Sequence, residues 1–313
     1  MADAWRCVQI SRKQASGARA PRIGVAARFA LATLVSLQLA GLAFGKDGDD
    51  GEDQDAAKPS APRVYLDLRS YYSRVPSGVL SIGLSNPPGA LSQLASLHSR
   101  SLPSTQGVGF DVPLTVDLND QVSLYGGFSA TASKAGDFDW TALAVTSWNV
   151  GLQADIYQQN GGAIPTLTVQ STLTRVVPSG PLATTALNTI LEATYALDAD
   201  ETRGFLAGVQ STLVAVDSDF ASLRPNWVGW LGGFYQWENN WKATARAGLQ
   251  SFGGAQLLRL APIEPFTQPI LRLDLDRMDD NDNRLFGVTA QIAWTPKPAY
   301  QLTVRTPLYL TKN

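Results

Sequence analysis

The stretch WKATARAGLQ, Trp241 to Gln250, decides the fold. Its apolar members Trp241, Ala243, Ala245, Ala247 and Leu249 share one parity, while Lys242, Thr244, Arg246, Gly248 and Gln250 share the other. A repeat of two is that of an extended strand whose faces meet unlike surroundings. The same alternation marks twelve segments, roughly 63–74, 106–118, 121–132, 139–156, 164–177, 183–197, 202–216, 226–237, 241–253, 267–277, 284–295 and 299–310. In the last, Tyr300, Leu302, Val304, Leu308 and Leu310 oppose Gln301, Thr303 and Arg305. In the fourth, Trp140, Ala142, Ala144, Trp148, Val150, Leu152 and Ile156 oppose Thr141, Ser147, Asn149, Gln153 and Asp155, with Leu143 and Val145 breaking the pattern.

The connections alternate too. Asn119-Asp120, Gln158 to Gly162, Asp198 to Glu201, Glu238 to Asn240 and Met278 to Asn283 are tight and polar. Between them come the mostly longer Val75–Thr105, Ser133–Phe138, Pro178–Leu182, Asp217–Pro225 and Gly254–Phe266, with only Pro296 to Pro298 breaking the trend. Bacterial outer-membrane barrels have an even strand count, short periplasmic turns and longer outer loops. The expected fold is therefore all-β: a closed antiparallel up-and-down transmembrane barrel of about twelve strands. A secreted sandwich would share the strand alternation but has no reason to alternate loop length. Three aromatic pairs, Trp140 with Trp148, Trp227 with Trp237 and Phe286 with Trp294, each share a face. At ~3.3 Å per residue and a tilt near 40° they stand roughly 20–25 Å apart along the axis, close to the spacing of aromatic girdles. Pro113 and Pro307 fall inside expected strands and should sit at rims or bulges, because proline lacks the N–H a central strand donates. The chain ends Leu-Tyr-Leu-Thr-Lys-Asn, with Tyr309 where such barrels commonly offer a terminal Phe.

Ahead of the barrel, residues 1–28 carry six Lys/Arg and one acid, and Phe29 to Phe44 is uncharged. Its 16 residues are short for a membrane helix, which needs ~20. With the small-x-small end Ala43-Phe44-Gly45 they read as a secretory signal, residues 1–45, cut before Lys46. The next seventeen residues, Lys46 to Pro62, hold six acids and no large apolar side chain, the composition of a disordered tether. The barrel region is then 63–313. Removing the signal leaves 19 Lys/Arg against 26 Asp/Glu, a balance unsuited to nucleic acid. Cys7 falls in the signal, so the mature chain has neither disulfides nor cysteine metal sites, and no cofactor or metal is expected.

One family has a matching pattern. WNVGLQADIYQQNGGAIPTLTVQSTLTRVVPSG (Trp148–Gly180) carries a Gly-Leu-x-x-x-Tyr-like strand, then a Pro-x-Leu-x-Leu strand ending at a Pro-x-Gly corner. LEATYALDADETRGFLAGVQSTLVAVDS and WLGGFYQWENNWKATARAGLQSFGG continue it. Over about half its length the chain resembles the meta-pathway phenol-degradation outer-membrane proteins, a family of transporters. The resemblance implies a twelve-stranded outer-membrane barrel and, by name only, an aromatic or hydrophobic cargo.

Parity turns certain charges inward: Asp67 and Arg69 on the first segment, Asp111 on the second and Glu192 on the sixth. Lys242, Arg246, Arg272, Asp274 and Arg305 join them. They would either line a pore for small solutes or pair off and plug it, since unpaired buried charge is costly. The expected function is a channel or transporter, not an enzyme, with outer-membrane lipid, a small-molecule solute and the secretion and barrel-assembly machinery as partners. A structural or adhesive barrel without a pore is the alternative. A barrel enzyme would need a base, and the single histidine, His98, lies in a long loop between Ser96 and Ser99. That loop, and Gln256–Pro265, are candidates to fold inward as plug or lid.

Overall fold

The computed structural model describes residues 63–310, apart from 78–102, 160, 178–182, 218–220, 258–263, 280–283 and 295–296. The signal, the tether, His98 and the segment around it therefore lie outside the described residues.

Twelve strands close into one barrel, each antiparallel to its neighbours. They are β1 (Arg63–Val75), β2 (Thr105–Asp117), β3 (Val122–Ala135), β4 (Ala144–Tyr157), β5 (Thr166–Val176), β6 (Thr184–Ala196), β7 (Arg203–Val216), β9 (Asn226–Gln236), β10 (Trp241–Phe252), β12 (Phe266–Met278), β13 (Arg284–Trp294) and β14 (Pro298–Leu310). Two further short strands, β8 (Ala221–Leu223) and β11 (Ala255–Leu257), lie in the long connections and pair as a separate ribbon. Neither is foreseen by the alternation, which three residues are too few to show. Within the expected loop Gln256–Pro265 the start is thus a strand tied to its neighbour. The barrel seam is β1 against β14, from Arg74↔Tyr300 to Tyr65↔Leu310. Closure leaves no strand edge to recruit other chains.

The barrel is apolar outside and polar inside. Phe128, Trp148, Phe205, Leu231, Leu249, Leu273 and Leu302 are exposed on the outer face. Gln210, Gln250, Gln268, Thr289, Gln291, Asp274 and Asp276 are buried on the inner one. A water-soluble sandwich would reverse this, since an apolar face exposed over twelve strands has no aqueous stabilisation.

Local chemistry fixes the turns. Asn119 ends β2 by accepting the N–H groups of Gln121 (2.9 Å) and Val122 (2.7 Å) on its side-chain oxygen. Asp198 does the same for Thr202, accepting its N–H at 2.8 Å and its hydroxyl at 2.5 Å. Asn240 turns the chain with φ +62°, a left-handed geometry that asparagine tolerates.

Bulges account for the irregularities. The β3–β4 register shifts between Ser129 and Ala130, leaving Thr146 as the extra residue. Past it the parity inverts, so Val145, one of the two pattern-breakers, is exposed; Leu143, also exposed, precedes the strand. The alternation predicts this strand from residue 139, but it starts at Ala144, and Trp140 precedes it. Pro307 sits at the shift opposite Asp67, where Leu308 is the unmatched residue. At Pro113 the β1–β2 ladder opens: it runs to Leu66↔Leu114 and resumes at Arg69↔Asp111. Both prolines thus fall where a missing N–H breaks no regular pairing.

Candidate functional site

The barrel encloses a cavity of about 1020 Å³ lined from every barrel strand. Its two sides differ. On β3–β5 the lining is neutral: Tyr125, Ser129, Ser147, Asn149, Gln153, Gln170, Thr172 and Thr174. From β12 through β13 and β14 to β1 it is ionic.

Asp274 is the hub of the ionic side. It alternates inward with Arg272 on β12, two residues away, so the two meet on one face. Arg272 donates from Nε and Nη2 to the two Asp274 oxygens, both at 2.9 Å. From β10, Arg246 donates Nη1 to Oδ2 at 2.9 Å; from β14, Arg305 donates Nη2 to Oδ1 at 3.3 Å. The Thr289 hydroxyl adds a 2.5 Å bond from β13. Three guanidiniums on one carboxylate explain why Arg246 and Arg272 can face each other directly in the β10–β12 ladder. Like charges so placed repel, and the shared acid offsets that. Removing one partner from such a network strands charge in the wall at a cost of ~3–5 kcal/mol.

The network extends both ways. Arg246 turns Nε and Nη2 to Glu192 of β6, at 3.2 Å each. Trp230 of β9 donates its indole N–H to the same carboxylate at 2.9 Å. Its ring lies flat across Gly208 of β7, where a Cβ would collide with it. On the other flank Asp276 accepts from Arg305 Nη2 at 2.9 Å and lies 2.9 Å from Arg284 Nε. The Asp276 carboxylate occupies the room that Gly287 leaves by having no side chain. Across the seam Arg305 faces Arg69, which meets Asp67 at 3.9 Å. Asp111 follows on β2, opposite Ser129 of β3.

Eight of the nine inward charges singled out in the sequence therefore fall in or beside one network. Lys242 faces Asp276 in the β10–β12 ladder, but its ammonium lies 5.0 Å from the centre of the Phe234 ring, a cation–π contact. Alternation alone would have added Asp276, which shares the parity of Asp274, and Trp230, an inward aromatic. Arg284 it could not add. The β12–β13 register shifts at Arg277/Met278, leaving Leu285 unmatched, so Arg284 turns inward although Phe286, of the same parity, faces out. Of the aromatic girdle residues, Trp148, Trp227, Trp237, Phe286 and Trp294 are exposed, the first four in or beside β4, β9 and β13 on the outer parity. Trp140 is exposed in the connection before β4, so strand alternation does not put it on the Trp148 face.

Among the described residues no group of three or more His, Cys, Asp or Glu is placed to hold a metal ion.

No protein-family model matches the sequence, and no curated protein matches it either. Solved structures do. An outer membrane channel from Pseudomonas putida F1 aligns with a TM-score of 0.56 at 11% identity, over 84% of this chain and all of that one. The transport unit of the autotransporter AIDA-I from Escherichia coli gives 0.47 at 10% identity, over 88% of this chain and 97% of that one. A FadL homologue from Pseudomonas aeruginosa gives 0.38 at 10%, over 86% and 92%. The likeness to the Pseudomonas putida channel is one of fold: this chain has the closed antiparallel architecture of outer-membrane barrels.

Proposed function

We propose that this protein is an outer-membrane channel through which small solutes pass passively. The short turns would face the periplasm and the long loops the outside. Residues 1–45 would direct export, and the barrel-assembly machinery would insert the strands. The observation that carries this reading is the polar cavity of about 1020 Å³ inside an apolar-faced barrel. That volume is at the upper end of small-molecule sites, roughly 300–1,000 Å³. Its lining of arginines, carboxylates, hydroxyls and amides suits polar solutes better than the hydrophobic compounds the family resemblance suggests. The arginine-bearing wall opposite a neutral one sets a transverse field, a device for selecting ions and polar molecules.

Single-channel conductance of the folded protein in planar bilayers tests this, with Arg246→Ala and Arg272→Ala alongside. Discrete openings are expected, with ion selectivity moving toward cations in both variants. A folded, inserted barrel that stays silent would overturn the channel reading.

A further inference from the structure

Acids and bases of the ionic wall do not sit at the same depth. Asp274 and Asp276 lie down in the wall, their side chains 4% and 10% exposed, while those of Arg272, Arg284 and Arg69 reach 31%, 33% and 43%. Over this stretch a solute in the lumen meets Arg272 and Arg284 before Asp274 and Asp276. Four arginines converge there. Arg305 shares Asp274 with Arg272 and Asp276 with Arg284, and it faces Arg69 across the seam. Arg272 and Arg284 are near enough to act electrostatically on Arg69.

The acceptors are shared or turned aside. Asp274 and Asp276 are each already shared by more than one arginine. Asp67 stays 3.9 Å from Arg69, and Asp111 turns to Ser129. Among the described residues, Nε of Arg69 and Nε of Arg305 are buried donors without a hydrogen-bond partner, and Oδ1 of Asp111 is a buried acceptor without one. The guanidiniums thus keep hydrogen-bonding capacity that the acids of the wall do not use.

We propose that Arg69, Arg272, Arg284 and Arg305 form a binding site for the carboxylate of a small organic acid. This deepens the channel role and rests on it. Guanidinium forks match the two oxygens of a carboxylate. The facing wall offers the neutral side chains of Asn149, Gln153 and Gln170 to the rest of the same molecule.

Equilibrium binding of radiolabelled succinate to the detergent-solubilised protein tests the site, and block of the single-channel current by succinate tests its place in the pore. Arg69→Gln should weaken succinate about tenfold or more, the worth of a charge-assisted hydrogen bond. Arg69→Lys, which keeps the charge and loses the fork, should fall between. Arg63→Gln removes a lumen-lining cation outside the cluster, six residues before Arg69 on β1, and should leave binding unchanged. Equal losses in Arg69→Gln and Arg63→Gln would overturn the site in favour of a diffuse field. Retention of inorganic phosphate with exclusion of succinate would overturn the carboxylate assignment. Succinate binding without conductance supports the site and removes the channel; conductance without succinate binding or block does the reverse.

Discussion

The two sides of the lumen are built on opposite plans. On β3–β5 the Tyr125 hydroxyl gathers neutral partners. Gln170 donates to the Tyr125 hydroxyl at 3.0 Å, and that hydroxyl reaches the Ser171 carbonyl at 3.2 Å and the Thr172 hydroxyl. On β10–β14 partners are shared, and one carboxylate holds arginines from three strands. The neutral side can lose a member and keep the rest. The ionic side cannot, because each acid removed strands several cations in a wall of low dielectric. Neutral bonding gives a tolerant surface; shared ionic bonding gives one that is precise and fragile.

Asp274→Ala should break that contrast most visibly. Denaturant unfolding in detergent is expected to show a loss of ~3–5 kcal/mol, against under half that for any single change on β3–β5. The reversal potential of the surviving channels should move toward anions. Gly208→Ala comes next. The new methyl cannot share space with the Trp230 ring, and overpacking of this kind costs ~1–3 kcal/mol. The ring would leave the wall and its bond to Glu192, so unitary conductance should fall as well. On the neutral side, Tyr125→Phe removes the hydroxyl but keeps the ring over Gly151. A loss of ~0.5–1.5 kcal/mol is expected, with ion selectivity unmoved. A selectivity change there would dissolve the distinction between the walls.

The smallest effect lies outside both, in the turns. The Thr202 hydroxyl holds the Asp198 carboxyl below its ordinary value, with backbone N–H groups of Thr202 and Arg203 helping. At the opposite rim Arg175 does the same for Asp217, with a 2.6 Å bond from Nη1. For such lowered groups the stabilisation is present above the ordinary carboxylate range and is lost as pH falls through the lowered folded value. Asp198→Asn should therefore be slightly less stable than the native protein at neutral pH and converge with it in strong acid. Acid titrations of thermal unfolding would show this; a gap persisting at the lowest pH would assign the difference to something other than the carboxylate.

Much of this architecture is legible in the chain because a strand repeats every two residues and the two faces of this sheet differ sharply. Trp241 to Gln250 alone separates outside from inside. Parity carries a residue only as far as the next bulge, however. Thr146 inverts it for Val145, and Leu285 inverts it for Arg284; no local composition announces either insertion. The pairing of β8 with β11 is also silent, since it depends on two loops meeting over the rim. Which acid serves which arginine was equally hidden. Arg246 and Glu192 are four strands apart around the wall counting both ends, and only the curvature of the closed sheet brings them to 3.2 Å.

The seam has one more consequence. Arg69 and Arg305 come from opposite ends of the sheet and face each other only when β1 meets β14. Until then the first and last strands carry incomplete halves of the ionic wall. Pairing of the seam thus brings two cations together, beside the acids of β12. A barrel that closes in the wrong register would set Arg305 against some other residue and forfeit the arrangement around Asp276. The ionic wall and the register of the seam therefore specify each other.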